Sequence, residues 1–438
     1  MSFVGNGTRK GSGTASDAKR LRILVMTSTF PRWPEDHEPR FVHDLSRRLA
    51  EVFDVHVVAP HAPGTAREEV MDGMKVHRYR YFPERLQSLA YDGGILEKIS
   101  KNHWAFLQVP FFLVAQILFV RRLLAWIDFD AVHAHWIIPQ GLCAVLAQVG
   151  RYPAVPVLCT SHGGDLFGLR GRLFDGLRRW VLQRSAALTV VSRAMAEKVR
   201  ASGIKTPCHV IPMGTDLRTL FTPDPNTPRR KATVLFVGRL VEKKGVRYLI
   251  EAFGHVRQRI PEAELWIVGS GPDKAFLEQS ASSIAPVRSL HGREHPPPCK
   301  DFPARPGTIT FFGPMFHRDL PHFYRTATVT VVPSVVAQSG DQEGLGLVLV
   351  EAMGCGCPVI ASDLPAIRDV VYPGETGLLV PPRHSRALAE TIVMTLNQPA
   401  LRETLSTDAR KWALKAFAWT AISEKYRTIL AELEEQTH

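Results

Sequence analysis

Short apolar runs rich in β-branched residues alternate with helical segments along this chain, and the alternation starts again near the midpoint. Strands that are separated by helices form parallel sheets with helices on both faces. The predicted strands of the first series lie at 21–26, 54–59, 130–135, 157–160 and 187–191. Those of the second series lie at 233–237, 264–268, 308–312, 328–333 and 358–361. The sequence therefore predicts an α/β protein with two Rossmann-like domains, whose parallel sheets face each other across a cleft.

Length and local composition place the boundaries of these domains. A chain of 438 residues is too long for one hydrophobic core, and a proline-rich linker at 222–230 lies close to the point where the pattern restarts. The first residues are rich in glycine, serine and basic side chains and have no apolar region typical of a signal peptide. The predicted parts are a disordered basic tail (1–20), an N-terminal domain (21–212), a C-terminal domain (213–412) with an inserted proline-rich loop (291–307), and a final helical segment (413–438).

Charge and cysteine content narrow the class of protein. A formal net charge of +12 favours phosphate-bearing ligands, nucleic acid or anionic lipid as partners. The six cysteines are scattered, mostly in apolar contexts, which is typical of reduced thiols in a cytoplasmic protein rather than of a disulfide framework. His291, His295 and Cys299 in the inserted loop are spaced too loosely to favour zinc. We therefore expect a cytoplasmic protein without a metal site.

The longest apolar stretch, residues 104–120, ends at Arg121 and Arg122 and is followed by Trp126. Its 17 residues include a proline and two glutamines, so it is short for a membrane-spanning helix. We predict a helix buried in the core. The alternative is a helix that dips into an anionic membrane surface, which would place the protein at the inner face of the cell membrane.

Glu343 and Glu351 bracket a helix that the pattern places between two strands. The first acid precedes a glycine-rich helix start, where free backbone N–H groups favour an anion. A diphosphate can lie there between two carboxylates that bind hydroxyl groups. The alternative is an ordinary helix with two surface acids. The segment between the acids begins with Gly344, Leu345, Gly346 and Leu347.

Arg239 and Lys244 lie in the loop that follows the first strand of the second series. Two fixed cations at the cleft can neutralise the charge that develops on a departing nucleoside diphosphate, without a metal. A solvated basic loop is the alternative. The turn 269–272 follows the next strand, but Lys274 stands where a dinucleotide fingerprint has its third glycine, so NAD binding is disfavoured.

Other strand ends carry further candidates. His162 precedes two glycines, so we predict an exposed turn that contacts a sugar or an acceptor, with Asp165 beside it. His37 and Arg40 lie in the long loop after the first strand, which either carries acceptor contacts or is merely solvated. Gly313 ends a strand of the second series and lets a flat base approach the backbone.

His133 and His135 alternate with apolar residues on one predicted strand and so point to the same side of the sheet. A metal site between them is conceivable. We favour one buried, hydrogen-bonded imidazole and one that lies near the cleft.

Together these motifs resemble those of the retaining glycosyltransferases of family 4, which have the two-domain GT-B fold. The resemblance covers about 21–433, with one insertion, and its motifs are specific in combination rather than singly. They are VIPMGTD (210–216), VGRLVEKKG (237–245), FFGPM (311–315), the Glu-x7-Glu helix with EAMGCGCPVIASD (343–363), and GETGLLVPP (374–382).

The resemblance implies a role for each matching residue of the C-terminal domain. Arg239 and Lys244 would clamp the donor diphosphate, and Glu343 would lie beside the donor sugar. Backbone N–H groups of 344–347 would face the sugar and the phosphate. Glu351 would bind the ribose.

It also implies that Gly313 lies against the base, that His162 is the cleft histidine, and that the last helix crosses back to brace the N-terminal domain. One departure concerns the loop after the first strand, where many relatives have two glycines. This chain has no glycine at 37–40, which suggests a different acceptor loop or a phosphate contact through Arg40.

The implied reaction is transfer of a hexosyl group from a UDP- or GDP-linked sugar to an acceptor hydroxyl, with retained configuration. We expect no metal or other cofactor, no nucleic-acid partner, and an acceptor that is a glycan or a lipid-linked intermediate of cell-envelope polysaccharide synthesis. Fold does not fix function, so two alternatives stay open. One is a nucleotide-sugar epimerase or hydrolase on the same fold, and the other is a non-catalytic protein that binds membranes or polyanions.

Overall fold

A computed structural model describes residues 20–33, 36, 38–91, 95, 98–99, 102–290 and 303–435. His37 and nearly all of the predicted tail lie outside the described residues. So does the inserted loop as far as 302, while its residues 303–306 are exposed.

Fifteen strands are described: β1 (Arg22–Met26), β2 (Asp54–Pro60), β3 (Glu68–Met71), β4 (Met74–Tyr79), β5 (Ala131–His135), β6 (Val157–Ser161), β7 (Ala187–Val190), β8 (Cys208–Val210), β9 (Thr233–Val237), β10 (Glu264–Val268), β11 (Val287–Ser289), β12 (Ile309–Gly313), β13 (Val329–Val332), β14 (Val359–Ser362) and β15 (Leu378–Val380). The α-helices described are α1 (Phe41–Leu49), α2 (His103–Trp126), α3 (Leu142–Ala147), α4 (Arg172–Leu182), α5 (Arg193–Ala201), α6 (Val246–Arg259), α7 (Lys274–Ser282), α8 (Leu320–Thr326), α9 (Leu347–Gly354), α10 (Ser385–Asn397), α11 (Pro399–Phe417) and α12 (Trp419–Glu435).

The N-terminal domain contains an eight-stranded sheet in the order β3-β4-β2-β1-β5-β6-β7-β8. Its described strands pair in parallel, apart from the antiparallel pair β3–β4. Asp72 and Gly73 make the two-residue turn of this hairpin, and both have a positive φ, of 47° and 82°. The carboxyl ends of β1, β5 and β6 therefore lie at one edge, where the cleft begins.

The C-terminal domain contains a seven-stranded parallel sheet in the order β11-β12-β10-β9-β13-β14-β15. All residues of β9 and β10 are buried. Helices α6 and α10 contribute to the core on one face, while α8, α9 and α11 contribute to the core on the other. The predicted fold class, two Rossmann-like domains with parallel sheets, is confirmed.

The last helix, α12, packs on the N-terminal domain although it follows the C-terminal domain in sequence. The Tyr426 hydroxyl lies 3.3 Å from Thr189 Oγ1 on β7. Arg427 Nη2 donates to Glu51 Oε2 at 2.7 Å. The chain thus crosses between the domains twice. The exact domain boundaries predicted from the sequence stay predictions.

The prediction that the apolar stretch forms a buried core helix is wrong. Within the described part of the chain, α2 is the helix that is long and apolar enough to cross a membrane by length and composition. Phe112, Val120 and Leu124 are almost fully buried, but Phe106 and Leu118 are each 61% exposed. Because this segment is apolar all round, its periodicity does not reveal that one side is left uncovered.

Candidate active site

Segments from both domains meet at the carboxyl edges of their sheets. Within the C-terminal domain, the N–H of Gly269 donates to the carbonyl oxygen of Gly313 at 2.8 Å, which joins the loops after β10 and β12. Across the cleft, a Cβ added to Gly344 would lie only 3.2 Å from the carbonyl oxygen of His162. The turn after β6 therefore touches the segment that leads into α9, and the predicted residues His162 and Glu343 are brought together.

Lys244 and Glu343 form an ion pair at this meeting point. The Nζ atom of Lys244 donates to Oε2 of Glu343 at 2.5 Å, and the two side chains are only 15% and 12% exposed. Burial raises the pKa of Glu343, but the charge and hydrogen bond of Lys244 outweigh it, together with smaller effects of Lys243 and the Gly344 N–H. The pKa of Glu343 therefore lies below its ordinary value, and the carboxylate is an anion at neutral pH.

Gly245 fixes the loop that carries Lys244. It has a φ of 65°, and a Cβ at this position would lie 2.0 Å from the carbonyl oxygen of Pro333. Only glycine satisfies both conditions. Next to it, the N–H of Val335 donates to the carbonyl oxygen of Lys243 at 2.8 Å. The loop after β9 is thus bound to the segment after β13, and this contact positions the lysine.

Glu351 lies inside α9, which spans Leu347–Gly354. Just before the helix, Gly346 turns the chain with a φ of 87°. The hydroxyl of Tyr324 donates to Oε2 of Glu351 at 2.8 Å, and Nε2 of His317 lies 3.2 Å from Oε1. The expectation that the two acids bracket the helix is therefore wrong for Glu351, because only Glu343 lies outside α9. The alternative of two surface acids is wrong, because Glu351 is 7% exposed and Glu343 is similarly covered.

His162 lies against aromatic side chains, and the prediction of an exposed turn is wrong for this residue. Its ring centroid is 4.8 Å from that of Phe41 and 5.1 Å from that of Trp136. Its Nε2 atom lies 3.0 Å from Nδ1 of His135, on which the ring also stacks. Burial lowers the pKa of His162 to about 3. The imidazole is therefore neutral at physiological pH and can exchange hydrogen bonds without carrying a charge.

Both histidines of β5 are buried, not one of them as we favoured. Nε2 of His133 lies 2.8 Å from Oγ1 of Thr160, and burial, with a smaller effect of His162, lowers the pKa of His133 to about 3. Burial also lowers the pKa of His135 far below its ordinary value. His135 is the one that reaches the cleft, through His162. Among the described residues, no cluster of three or more His, Cys, Asp or Glu side chains is placed to hold a metal ion.

Asp165 does not face the cleft, which contradicts its predicted contact with an acceptor. It is 2% exposed, and its carboxylate accepts the N–H of Ile137 at 2.7 Å and the hydroxyl of Ser161 at 2.6 Å. Through these hydrogen bonds the side chain of Asp165 holds together the segments that follow β5 and β6. Asp165 thus supports the turn that carries His162.

A cavity of about 620 Å³ opens between the domains beside His317 and Leu347. Pockets for small-molecule ligands commonly have about 300–1,000 Å³. Arg40 and Phe41 line this cavity from the N-terminal domain, and Phe316 lines it from the C-terminal domain. Arg40 therefore faces the cleft, while its contact with a phosphate stays a prediction.

Arg239 and Gly313 lie at the strand ends where the sequence places them. Arg239 is exposed in the loop after β9. Gly313 ends β12 with a φ of 79°. In the neighbouring turn, a Cβ on Gly269 would lie 1.9 Å from the carbonyl oxygen of Gly238. Glycine at position 269 therefore serves close packing between the loops after β9 and β10.

Three residues of the site were not anticipated: His317, Tyr324 and Trp136. Trp136 directly follows β5 with a φ of 77°, which is rare for a bulky side chain. Its place at a strand's carboxyl end was an available signal. His317 and Tyr324 reach Glu351 only because α8 packs beside α9, which no local pattern reveals.

Comparison with known proteins identifies the family. Residues 39–219 match the family described as Glycosyltransferase Family 4, and residues 231–398 match the one described as Glycosyl transferases group 1. The phosphatidyl-myo-inositol mannosyltransferase of Mycobacterium leprae is 29% identical over 313 residues, which cover 70% of this chain and 74% of the relative. A GDP-mannose-dependent alpha-(1-6)-phosphatidylinositol monomannoside mannosyltransferase of Mycolicibacterium smegmatis is 27% identical over 331 residues, covering 72% and 80%.

The solved structure of a sucrose-phosphate synthase from Thermosynechococcus elongatus shares the fold. It has a TM-score of 0.72 at 23% identity and covers 94% of this chain and 99% of that one. The two family matches fall on the two domains described above and together span both sides of the cleft. The chain therefore belongs to glycosyltransferase family 4 and is a hexosyltransferase with the GT-B fold.

Proposed function

We propose that this enzyme transfers a hexosyl group from a nucleotide-diphosphate sugar to a hydroxyl group of a lipid-linked or glycan acceptor, with retention, at the cytoplasmic face of the cell membrane. The observation that carries the proposal is the Lys244–Glu343 pair, which lies where both domains meet. The names of the two mannosyltransferase relatives support a GDP-linked mannosyl donor and a phosphatidylinositol-based acceptor as first candidates. UDP-linked sugars are the second choice of donor.

The donor is proposed to lie across the start of α9. The nucleoside would occupy the cavity beside His317, with its ribose at Glu351 and its base near Gly313. The diphosphate would then reach Lys244 and Arg239. Backbone N–H groups of 344–347 would face the phosphate and the sugar. Residues 344–346 lead into α9, and the N–H of Leu347 belongs to its first turn, where N–H groups have no partner within the helix.

The proposed reaction exchanges one bond at the anomeric carbon for another. The bond to the β-phosphate oxygen breaks, the acceptor oxygen attacks from the same face, and the acceptor proton passes to the departing phosphate. Lys244 and Arg239 stabilise the charge that grows on that phosphate, since such electrostatic effects are strongest in a water-poor site. The anionic Glu343 orients the lysine and faces the sugar. The neutral His162 contributes a hydrogen bond to a sugar or acceptor hydroxyl.

Two neighbouring lysines provide the central test. Lys244→Ala should reduce transfer by about 10³-fold or more, because it removes the cation that offsets the leaving-group charge and leaves Glu343 buried without a partner. Lys243→Ala is the matched control, since Lys243 lies next in sequence but pairs with Asp341 at 2.9 Å. Transfer would be measured with radiolabelled GDP-mannose and a membrane lipid extract. Full activity in a folded Lys244→Ala variant would refute the assignment of the site.

Donor binding can be measured separately from transfer. Thermal unfolding in the presence of GDP-, UDP- and ADP-sugars should show stabilisation by the true donor, because a ligand that binds only the folded state raises its stability. The radiolabel transfer assay repeated with EDTA tests whether transfer needs a metal. Release of free sugar or an epimerised donor without any acceptor product would instead favour the hydrolase or epimerase alternative.

A further inference from the structure

The outward face of α2 carries a row of exposed apolar residues, whereas other exposed apolar residues of the N-terminal domain, such as Val70 and Leu173, lie on other elements. Phe106, Leu107, Phe111, Val114 and Leu118 are each more than half exposed. They follow one another at the spacing of one helix face. Single exposed apolar residues are ordinary, but a contiguous row of five large side chains marks an interaction site.

Neighbouring segments place further exposed apolar residues beside this row. The amide of Gln108 donates to the carbonyl oxygen of Leu86 at 2.9 Å, and Leu86 is 59% exposed. At the other end, Nη1 of Arg121 donates to the carbonyl oxygen of Val149 at 2.8 Å. Val149 and the nearby Tyr152 are 59% and 97% exposed. We call the five residues named above, together with Leu86, Trp126, Val149 and Tyr152, the α2 surface.

The opposite side of α2 is anchored in the domain. Phe112, Val120 and Leu124 are at most 2% exposed, and Tyr79 of β4 packs against Phe112 with ring centroids 5.6 Å apart. The helix has the length and composition of a membrane span. It cannot leave the domain to span a bilayer without exposing this core, so a membrane contact would be made by a helix lying flat.

Basic side chains predominate around the α2 surface, although Asp128 is exposed just beyond Trp126 and Glu84, which pairs with Arg80, precedes Arg85. Arg85, Arg121 and Arg122 are exposed, and the sequence from 98 to 127 contains no aspartate or glutamate. The guanidinium of Arg122 lies over the ring of Trp126, 5.4 Å from its centroid. Arginine heads at the rim of an apolar face bind lipid phosphates while their stems stay in the apolar layer, and Trp and Tyr favour the same interface.

We propose that the α2 surface docks this enzyme on an anionic lipid bilayer, with α2 parallel to the membrane plane. The occupant is a lipid surface rather than a second copy of the chain, because a copy would bring the same positive charges against Arg121 and Arg122. Bilayers with anionic headgroups complement both properties of the surface, its apolar row and its basic rim.

This docking also orients the cleft and so deepens the proposed function, on which that part of the inference rests. The loop between β4 and α2, which contains Arg85 and Leu86, starts at the carboxyl end of a strand, as do the loops that line the cleft. The N-terminal end of α2 is therefore the end nearer the cleft. An acceptor whose lipid tail stays in the bilayer could present its headgroup hydroxyl there.

The test uses the full chain and sedimentation with lipid vesicles. Vesicles of phosphatidylcholine mixed with phosphatidylglycerol should bind the enzyme, and pure phosphatidylcholine vesicles should bind it much less. The double variant Phe111→Gln and Leu118→Gln should weaken binding by about 10²-fold, because two large apolar side chains no longer enter the lipid. The pair Arg85→Gln and Arg122→Gln should lower binding to anionic vesicles about tenfold.

Leu173→Gln with Phe276→Gln is the matched control, since these residues are 79% and 57% exposed but lie on α4 and α7. This variant should bind vesicles like the natural chain. Equal loss in the control, unchanged binding in the α2 variant, or no binding of the natural chain would overturn the docking proposal. So would a dimer in sedimentation equilibrium that only the α2 variant dissociates. Stabilisation by the donor nucleotide should persist in every variant, so failure of docking is distinguishable from failure of the proposed function.

Discussion

Both oxygens of the Glu351 carboxylate have partners within the chain. Tyr324 is fully buried, so its hydroxyl stays at Oε2, whereas the His317 side chain is 49% exposed and contacts Oε1 from the cavity side. A ribose hydroxyl that binds Glu351 must therefore share or replace the contact of His317. We infer that His317 competes with the nucleoside for this oxygen.

This competition predicts that donor binding depends on pH. Burial lowers the pKa of His317, but the hydrogen bond and charge of Glu351 outweigh it, so the pKa lies above the ordinary value, with smaller opposing effects of Asp44 and Arg40. Below that pKa the imidazolium holds Glu351 firmly, and as pH rises through it the ion pair is lost. Nucleotide affinity should therefore increase a few-fold between about pH 6 and about pH 8.

Calorimetric titration with the donor nucleoside diphosphate checks this prediction. His317→Ala should bind the nucleotide with little pH dependence in that range. The control is His255→Ala, because His255 is an exposed histidine on α6 of the same domain. An unchanged pH profile in His317→Ala would show that another group controls binding.

At the scale of elements, ten of the fifteen described strands were predicted, while β3, β4, β8, β11, β15 and the uncovered face of α2 were not. The strands β1, β9 and β10 are found where apolar β-branched runs place them. The β3–β4 hairpin was overlooked, although Asp72 and Gly73 between two alternating runs are a strong hairpin signal. By contrast, the Glu351–His317 contact and the burial of Asp165 depend on neighbours distant in sequence, which no local pattern encodes.

The loop after β9 allows a prediction about close packing. Gly245 and Gly374 both have a positive φ, of 65° and 79°. Alanine in that region costs roughly 1–2 kcal/mol of backbone strain at either position. Only at position 245 would the new Cβ also meet a backbone oxygen, whereas nothing lies within 4 Å at position 374.

Gly245→Ala should therefore lower the free energy of unfolding by about 3 kcal/mol or more, and Gly374→Ala by only the strain. Urea denaturation of both variants measures the difference, which isolates the clash with Pro333. Gly245→Ala should also reduce transfer, since the clash displaces Lys244. Equal destabilisation by the two substitutions would mean that the loop relaxes away from Pro333.

For the whole molecule, the two domains are joined by the exchange of a helix as well as by the cleft. The ring of Trp419 fills the space beside Gly214, where an added Cβ would lie 2.3 Å from the ring. Arg48 of α1 lies over the same ring, 4.9 Å from its centroid. Because α12 is connected to the C-terminal domain but packs on the N-terminal domain, loss of its packing would loosen the N-terminal domain.

This link predicts which segments a core substitution in α12 will destabilise. Leu430 and Leu405 are both 0% exposed, the first in α12 and the second in α11 of the C-terminal domain. Leucine-to-alanine substitutions at such sites cost about 2–5 kcal/mol. Leu430→Ala should increase amide hydrogen exchange in α1 and β5, on which α12 packs, although residue 430 is far from both in sequence.

Leu405→Ala, of the same size and burial, should instead increase exchange in α9 and α10 and leave α1 and β5 protected. If both variants loosened the same segments, the domains would unfold as one unit, and α12 would have no separate role in holding the N-terminal domain against the cleft.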